Sequence, residues 1–104
     1  MAQIDIQVQG SDIHAEYVQG TTATILENVP LILDPLTLSY SNLGTLCDYS
    51  MTISNVVGLT WYDILQNGKN SRFIAEGTGS CDITLQVGDD SSNTDSTILS
   101  VTVI

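Results

Sequence analysis

The chain reads as an all-β sandwich, and three observations predict it. Cys81-Asp82-Ile83-Thr84-Leu85-Gln86-Val87 and Ile98-Leu99-Ser100-Val101-Thr102-Val103-Ile104 alternate apolar and polar residues almost without error. A side-chain period of two means one buried and one wet face, and the turn-rich stretch from Gly88 to Asp95 makes the pair a long antiparallel hairpin. Further short alternating segments recur about every ten residues, bounded by Gly, Pro, Asn or Asp, with no amphipathic helical pattern between them. Finally, Ser and Thr abound while only 13% of residues are charged, as in proteins whose exposed strand faces carry hydroxyls.

The elements follow in order. Ile4, Ile6 and Val8 alternate with Asp5, Gln7 and Gln9 and stop at Gly10-Ser11, which predicts a first strand. Ile13 to Val18 and Thr21 to Leu26 are the next candidates. Pro30 and Pro35 bracket Leu31-Ile32-Leu33, which marks an edge strand or one that switches sheets, because proline cannot donate into a central ladder. Leu36 to Tyr40 resumes the alternation. Cys47, Tyr49, Met51 and Ile53 then share one face, opposite Asp48, Ser50, Thr52 and Ser54. Leu59 to Leu65 carries the only tryptophan, and Asn67-Gly68 signals a hairpin into Arg72 to Glu76. The count is seven to nine strands in one domain spanning 1–104, with 1–20 as a possible extra strand or arm.

Charge excludes some partners. Twelve acidic and two basic residues give a formal charge of −10, a field that repels nucleic-acid phosphate and anionic lipid. The N-terminus lacks the pattern of a secretory signal, and no apolar run approaches a membrane span. Two origins stay open: a whole cytoplasmic or cytoplasmically assembled protein, or a module of a longer exported chain.

Cys47, Trp61 and Cys81 fall in the order Cys, Trp, Cys on three successive expected strands. This resembles an immunoglobulin-like sandwich, and the segment from Gly79 to Val103 is similar to the last two strands of bacterial and phage immunoglobulin-like, PKD-like and cadherin-like modules. The resemblance implies an immunoglobulin-like antiparallel sandwich, with Cys47 and Cys81 as candidate disulfide partners. Two features depart from it: the cysteines are closer in sequence than in antibody domains, and Gly79 stands where those domains carry a tyrosine.

Chemistry-bearing residues are sparse. His14, the only histidine, lies among Asp12, Glu16 and Tyr17 with no nucleophile signature anywhere in the chain, and reads as a solvated side chain. Asp89, Asp90 and Asp95 are the calcium candidates, although hard cations want six to eight preorganised oxygens and no known loop spacing is present; no other cofactor is expected. Trp61 and Tyr62 are consecutive, so one must face the core and the other solvent. The reading gives the core to Trp61 and leaves Tyr62 to contact a sugar or protein. Lys69 and Arg72 are candidate contacts for an acidic partner; an isopeptide cross-link at Lys69 is disfavoured because a loop lysine is poorly buried. Ile4, Ile6 and Val8 are interaction candidates because an alternating terminal segment can extend a neighbour's sheet.

No nucleophile, base and oxyanion site can be named together, so the expected role is non-enzymatic. The leading expectation is a bacteriophage virion protein on the particle surface, a capsid decoration or cement protein contacting capsid protein or further copies of itself. The alternative is a module of an exported bacterial adhesin or surface protein, acting as a spacer or as a carbohydrate or protein binder. A Cys47–Cys81 disulfide is expected to favour the exported module, and free thiols the virion protein.

Overall fold

The computed structural model describes residues 13–104, which form two β-sheets packed face to face with a small strand pair at one side. The expected first strand and its candidates Ile4, Ile6 and Val8 lie outside the described residues. In chain order the strands are β1 (Ile13–His14), β2 (Thr22–Ile25), β3 (Leu31–Leu33), β4 (Tyr40–Ser41), β5 (Leu46–Val57), β6 (Thr60–Leu65), β7 (Ser71–Glu76), β8 (Gly79–Asp89) and β9 (Thr94–Val103). One sheet has the order β2-β9-β8-β5 and the other β3-β7-β6, while β1 pairs with β4. Taking β3, β5, β6, β7, β8 and β9 as strands B to G puts B, E and D in one sheet and C, F and G in the other, the immunoglobulin-like order. The sandwich is not wholly antiparallel, because β2 runs parallel to β9, pairing Thr22 with Ser100 and Ile25 with Val103.

The hairpin that the alternation predicts is present and longer than expected. Ten residue pairs join β8 to β9, from Thr94↔Gly88 to Val103↔Gly79. Gly88, Asp89, Thr94 and Asp95 belong to the strands, so the loop shrinks to Asp90–Asn93. Seven inward positions of the hairpin feed the core: Cys81, Ile83, Leu85 and Val87 from β8, and Leu99, Val101 and Val103 from β9. Leu31, Leu33, Phe73 and Ala75 meet them from the other sheet. Burying side chains of this size stabilises the fold by roughly 1.5–3 kcal/mol each.

Residues 13–18 belong to this body and are no arm. Ala15 and Tyr17 are buried, and the Tyr17 hydroxyl donates to the Ile83 carbonyl at 3.0 Å. Burial raises the Tyr17 phenol well above its ordinary value. The strand expected over Leu36 to Tyr40 shrinks to Tyr40–Ser41, because Asp34 bends the chain away from extension. Its Oδ1 accepts the backbone N–H groups of both Leu36 and Thr37 at 2.9 Å, which occupies donors a ladder would need.

Between β6 and β7 the Asn67-Gly68 signal does mark a reversal, but a wider one than a two-residue hairpin. A 3₁₀ turn, Gly68–Asn70, fills it. Ser71 Oγ locks this turn by donating to the Gly68 carbonyl at 2.8 Å and accepting from the Asn67 N–H at 2.9 Å.

Candidate functional site

The hairpin tip gathers the expected calcium candidates but turns each carboxylate toward protein donors. Asp89 is buried: its Oδ2 accepts from the Ser41 hydroxyl at 2.7 Å, and its Oδ1 accepts from the backbone N–H groups of Ser91 and Asn93 at 2.9 Å each. The Ser41 bond first, then the Asn93 and Ser91 donors, hold its carboxyl at about 2 against partial desolvation. Asp90 Oδ1 accepts from the Thr45 N–H, and Asp95 Oδ2 from the Ala15 N–H. Three aspartates therefore fasten two other chain segments, around Ala15 and from Ser41 to Thr45, to the hairpin. No cluster of three or more metal-ligating side chains occurs among the described residues. The loop is a structural tie whose aspartates, the weak calcium candidates of the sequence, are each engaged by protein donors.

The paired-cysteine expectation is overturned. Both cysteines are free, Cys47 exposed and Cys81 buried. The cause is a bulge between Leu46 and Asp48, which advances the alternation by one residue so that Leu46 faces the core and Cys47 faces out. Register adds distance. Asp48 pairs with Gly88, and Ser54 with Asp82, so the two cysteines sit toward opposite ends of the β5–β8 ladder. Seven residues of strand separate Cys81 from Gly88, on the order of 20 Å, far beyond disulfide reach. Burial pushes the Cys81 thiol up, while the neighbouring Trp61 indole draws it down. The Trp61 N–H meets no oxygen or nitrogen acceptor, and a thiol is at best a weak one.

Trp61 and Tyr62 divide as expected, and a second bulge explains how. Trp61 pairs with Ala75 on the inner face and packs edge-on against Phe73, with ring centroids 5.9 Å apart. The register then skips Tyr62 and resumes at Asp63↔Ile74, leaving Tyr62 exposed with its hydroxyl donating to Asn28 Oδ1 at 3.0 Å. On the same outer face Arg72 pairs in register with Ile32 and Leu65, and its guanidinium meets Asp63 at 3.3 Å. Ile32, Tyr62 and Leu65 are all exposed. Tyr62 and Arg72 are thus brought together on one sheet face, and exposed Lys69 stands in the turn at its end. His14 is elsewhere: its Nε2 donates to Glu16 Oε1 at 2.8 Å, and its ring stacks on Tyr40.

Two features escaped the sequence reading. The outer face of the four-stranded sheet is a hydroxyl surface, with rows such as Thr22–Ser100–Asp82–Ser54 and Ile98–Thr84–Thr52 running across the strands. Strand alternation alone foretold its chemistry but not its rows. Near the tip Gly88 leaves a shallow hollow of about 140 Å³ there, walled by Asp48, Ser50, Gln86 and Thr94.

The other lies between the sheets, where the middle of β5 meets the far end of β6, seven residues back from the Gly58 turn that joins the two strands. Here the two strands are joined by a side chain: Gln66 Oε1 accepts from the Met51 N–H at 3.2 Å and Gln66 Nε2 donates to the Met51 carbonyl at 3.0 Å. Close by, the Gly68 N–H donates to the Tyr49 hydroxyl at 2.7 Å. The outer backbone edge of a long strand is therefore closed at one residue by an amide. Ile64 shows the consequence: register sets it on the inner face opposite Phe73, yet it remains 48% exposed.

These surfaces offer backbone edge pairing, apolar contact beside Tyr62, and hydrogen bonding along the hydroxyl face. Comparison with protein-family models, with curated proteins and with solved structures returns no match.

Proposed function

We propose that this chain is a non-enzymatic assembly module, needing no cofactor, and that it serves as a decoration or cement protein on the surface of a bacteriophage virion. Its partners on this reading are the capsid protein and further copies of itself. The separation of Cys47 from Cys81 carries the choice over an exported adhesin module. An exposed thiol with no partner within reach suits assembly in a reducing cytoplasm, whereas an oxidising compartment invites intermolecular pairing at Cys47. The field of a net charge of −10 supports the same reading. Outward on a particle, it keeps neighbouring particles apart.

The thiols supply the test. Protein taken from its source and alkylated in denaturant before any reduction is expected to carry two adducts by intact mass. A mixed or intermolecular disulfide at Cys47, or a bond between the two cysteines, overturns the virion reading in favour of the exported module.

A further inference from the structure

We propose that the outer edge of β5 accepts an added strand, and that the occupant is the segment Gln3–Gln9 of a second copy of this chain; the inference rests on the assembly reading above. The backbone supplies the first observation. In an antiparallel ladder, successive residues turn their N–H and C=O groups alternately toward and away from the neighbour. Both groups of Met51 go to Gln66, away from β8. The register Tyr49↔Val87, Met51↔Leu85, Ile53↔Ile83 is unbroken here. Tyr49 and Ile53 therefore direct their N–H and C=O out of the same edge. The Gln66 amide holds at Met51 the place that one residue of an adjoining strand takes, so a strand laid along this edge displaces it and takes over both bonds.

The second observation is apolar room. Tyr49, Met51 and Ile53 face the core side, and inward-facing Ile64 across the seam is half exposed. A strand laid along β5 would cover it with every second side chain.

The segment fits on chemistry. Ile4, Ile6 and Val8 alternate with Asp5, Gln7 and Gln9, giving one apolar side and one polar side. Only one charge falls within these seven residues, so a body of charge −10 repels it little. The exposed Lys69 stands beside Gly68, whose N–H holds the Tyr49 hydroxyl at the end of this edge, and offers Asp5 a counter-charge. A second copy is favoured over the chain's own body. Ile13–His14 is held by β4 and makes its main strand contacts with β8 and β9 and not with β5, so the chain is anchored away from this edge. Each copy then offers one segment and one edge, a heterologous contact that closes into a ring or propagates.

The test follows amide exchange and mass together, in the full chain and in I6D, with Ile6→Val as the conservative control. At high concentration the wild type and I6V are expected to give a multimer by light scattering, with exchange at the Tyr49 and Ile53 amides slowed by about tenfold or more. Dilution, or I6D, is expected to abolish both effects while leaving the Leu99 amide unchanged. Fast exchange at Tyr49 and Ile53 at every concentration overturns the inference, because the edge is then empty. Protection that persists in a monomer also overturns it, since the chain's own segment then fills the edge. If either result comes with a chain still found on particles, the assembly reading stands and only the strand exchange falls.

Discussion

The Ser41 hydroxyl donates to Asp89 Oδ2 at 2.7 Å across 48 residues of sequence, tying the start of the loop before β5 to the tip of the β8–β9 hairpin. With the Ser91 and Asn93 donors, this bond favours the ionised carboxylate. The folded carboxyl at about 2 lies below its ordinary 3.8. A depressed acid contributes stability that is present in full above about pH 4 and is lost as pH falls through 2. Denaturant titrations between pH 5 and pH 1.5 should show this loss. Asp89→Asn should destabilise at pH 6 and flatten the acid limb, since its amide nitrogen faces donors. An unchanged slope in Asp89→Asn would show that the tie is not ionic.

Tyr17 buries its ring completely and gives its hydroxyl to the Ile83 carbonyl. Tyr17→Phe keeps the ring and removes that donor, so it should cost about 1–2 kcal/mol in equilibrium denaturation. Its raised ionisation sets a second expectation. A phenol that holds its proton more tightly when folded supports the fold below pH 10, and that support is lost as pH climbs above it. The alkaline loss should be weaker in Tyr17→Phe.

The two thiols should behave as different residues. Cys47 is exposed, so Cys47→Ser should change stability by less than about 0.5 kcal/mol. Cys81 is buried, and Cys81→Ser, which leaves a hydroxyl in an apolar site, should cost about 1–3 kcal/mol. Timed alkylation checks the same point without mutation: one rapid adduct in the native protein, the second only on unfolding.

Where β8 begins, the chain passes close to the end of β5. A Cβ built on Gly79 would stand 1.8 Å from the Val57 carbonyl oxygen, backbone that must move to admit it. Gly79→Ala should cost roughly 3 kcal/mol. Gly20→Ala meets open space and only an unfavourable φ of +86, so about 1 kcal/mol is expected there. Thermal melts of the two variants give the comparison.

What could be read from sequence follows from the range of each interaction. The β8–β9 hairpin was legible because its pattern repeats every two residues and its partner is next in the chain. That Trp61 and Tyr62 part to opposite sides followed from adjacency alone. Cys47 was misplaced because a bulge of one residue, invisible in the pattern, reverses which side faces in. Leu36 to Tyr40 alternates like a strand, yet the Asp34 side chain captures its amides. The burial of Asp89 was not legible, since it depends on Ser41 far upstream. The seam at Met51 was out of reach for a similar reason: a side-chain amide bonding to a backbone edge leaves no periodic trace.

The proposed role makes the chain a constituent of a particle, and sedimentation asks that directly. Particles banded from a lysate of the source should contain this chain by quantitative mass spectrometry, in a fixed ratio to the main shell protein. Recovery in the cell-envelope fraction, with particles that lack it, would contradict the account.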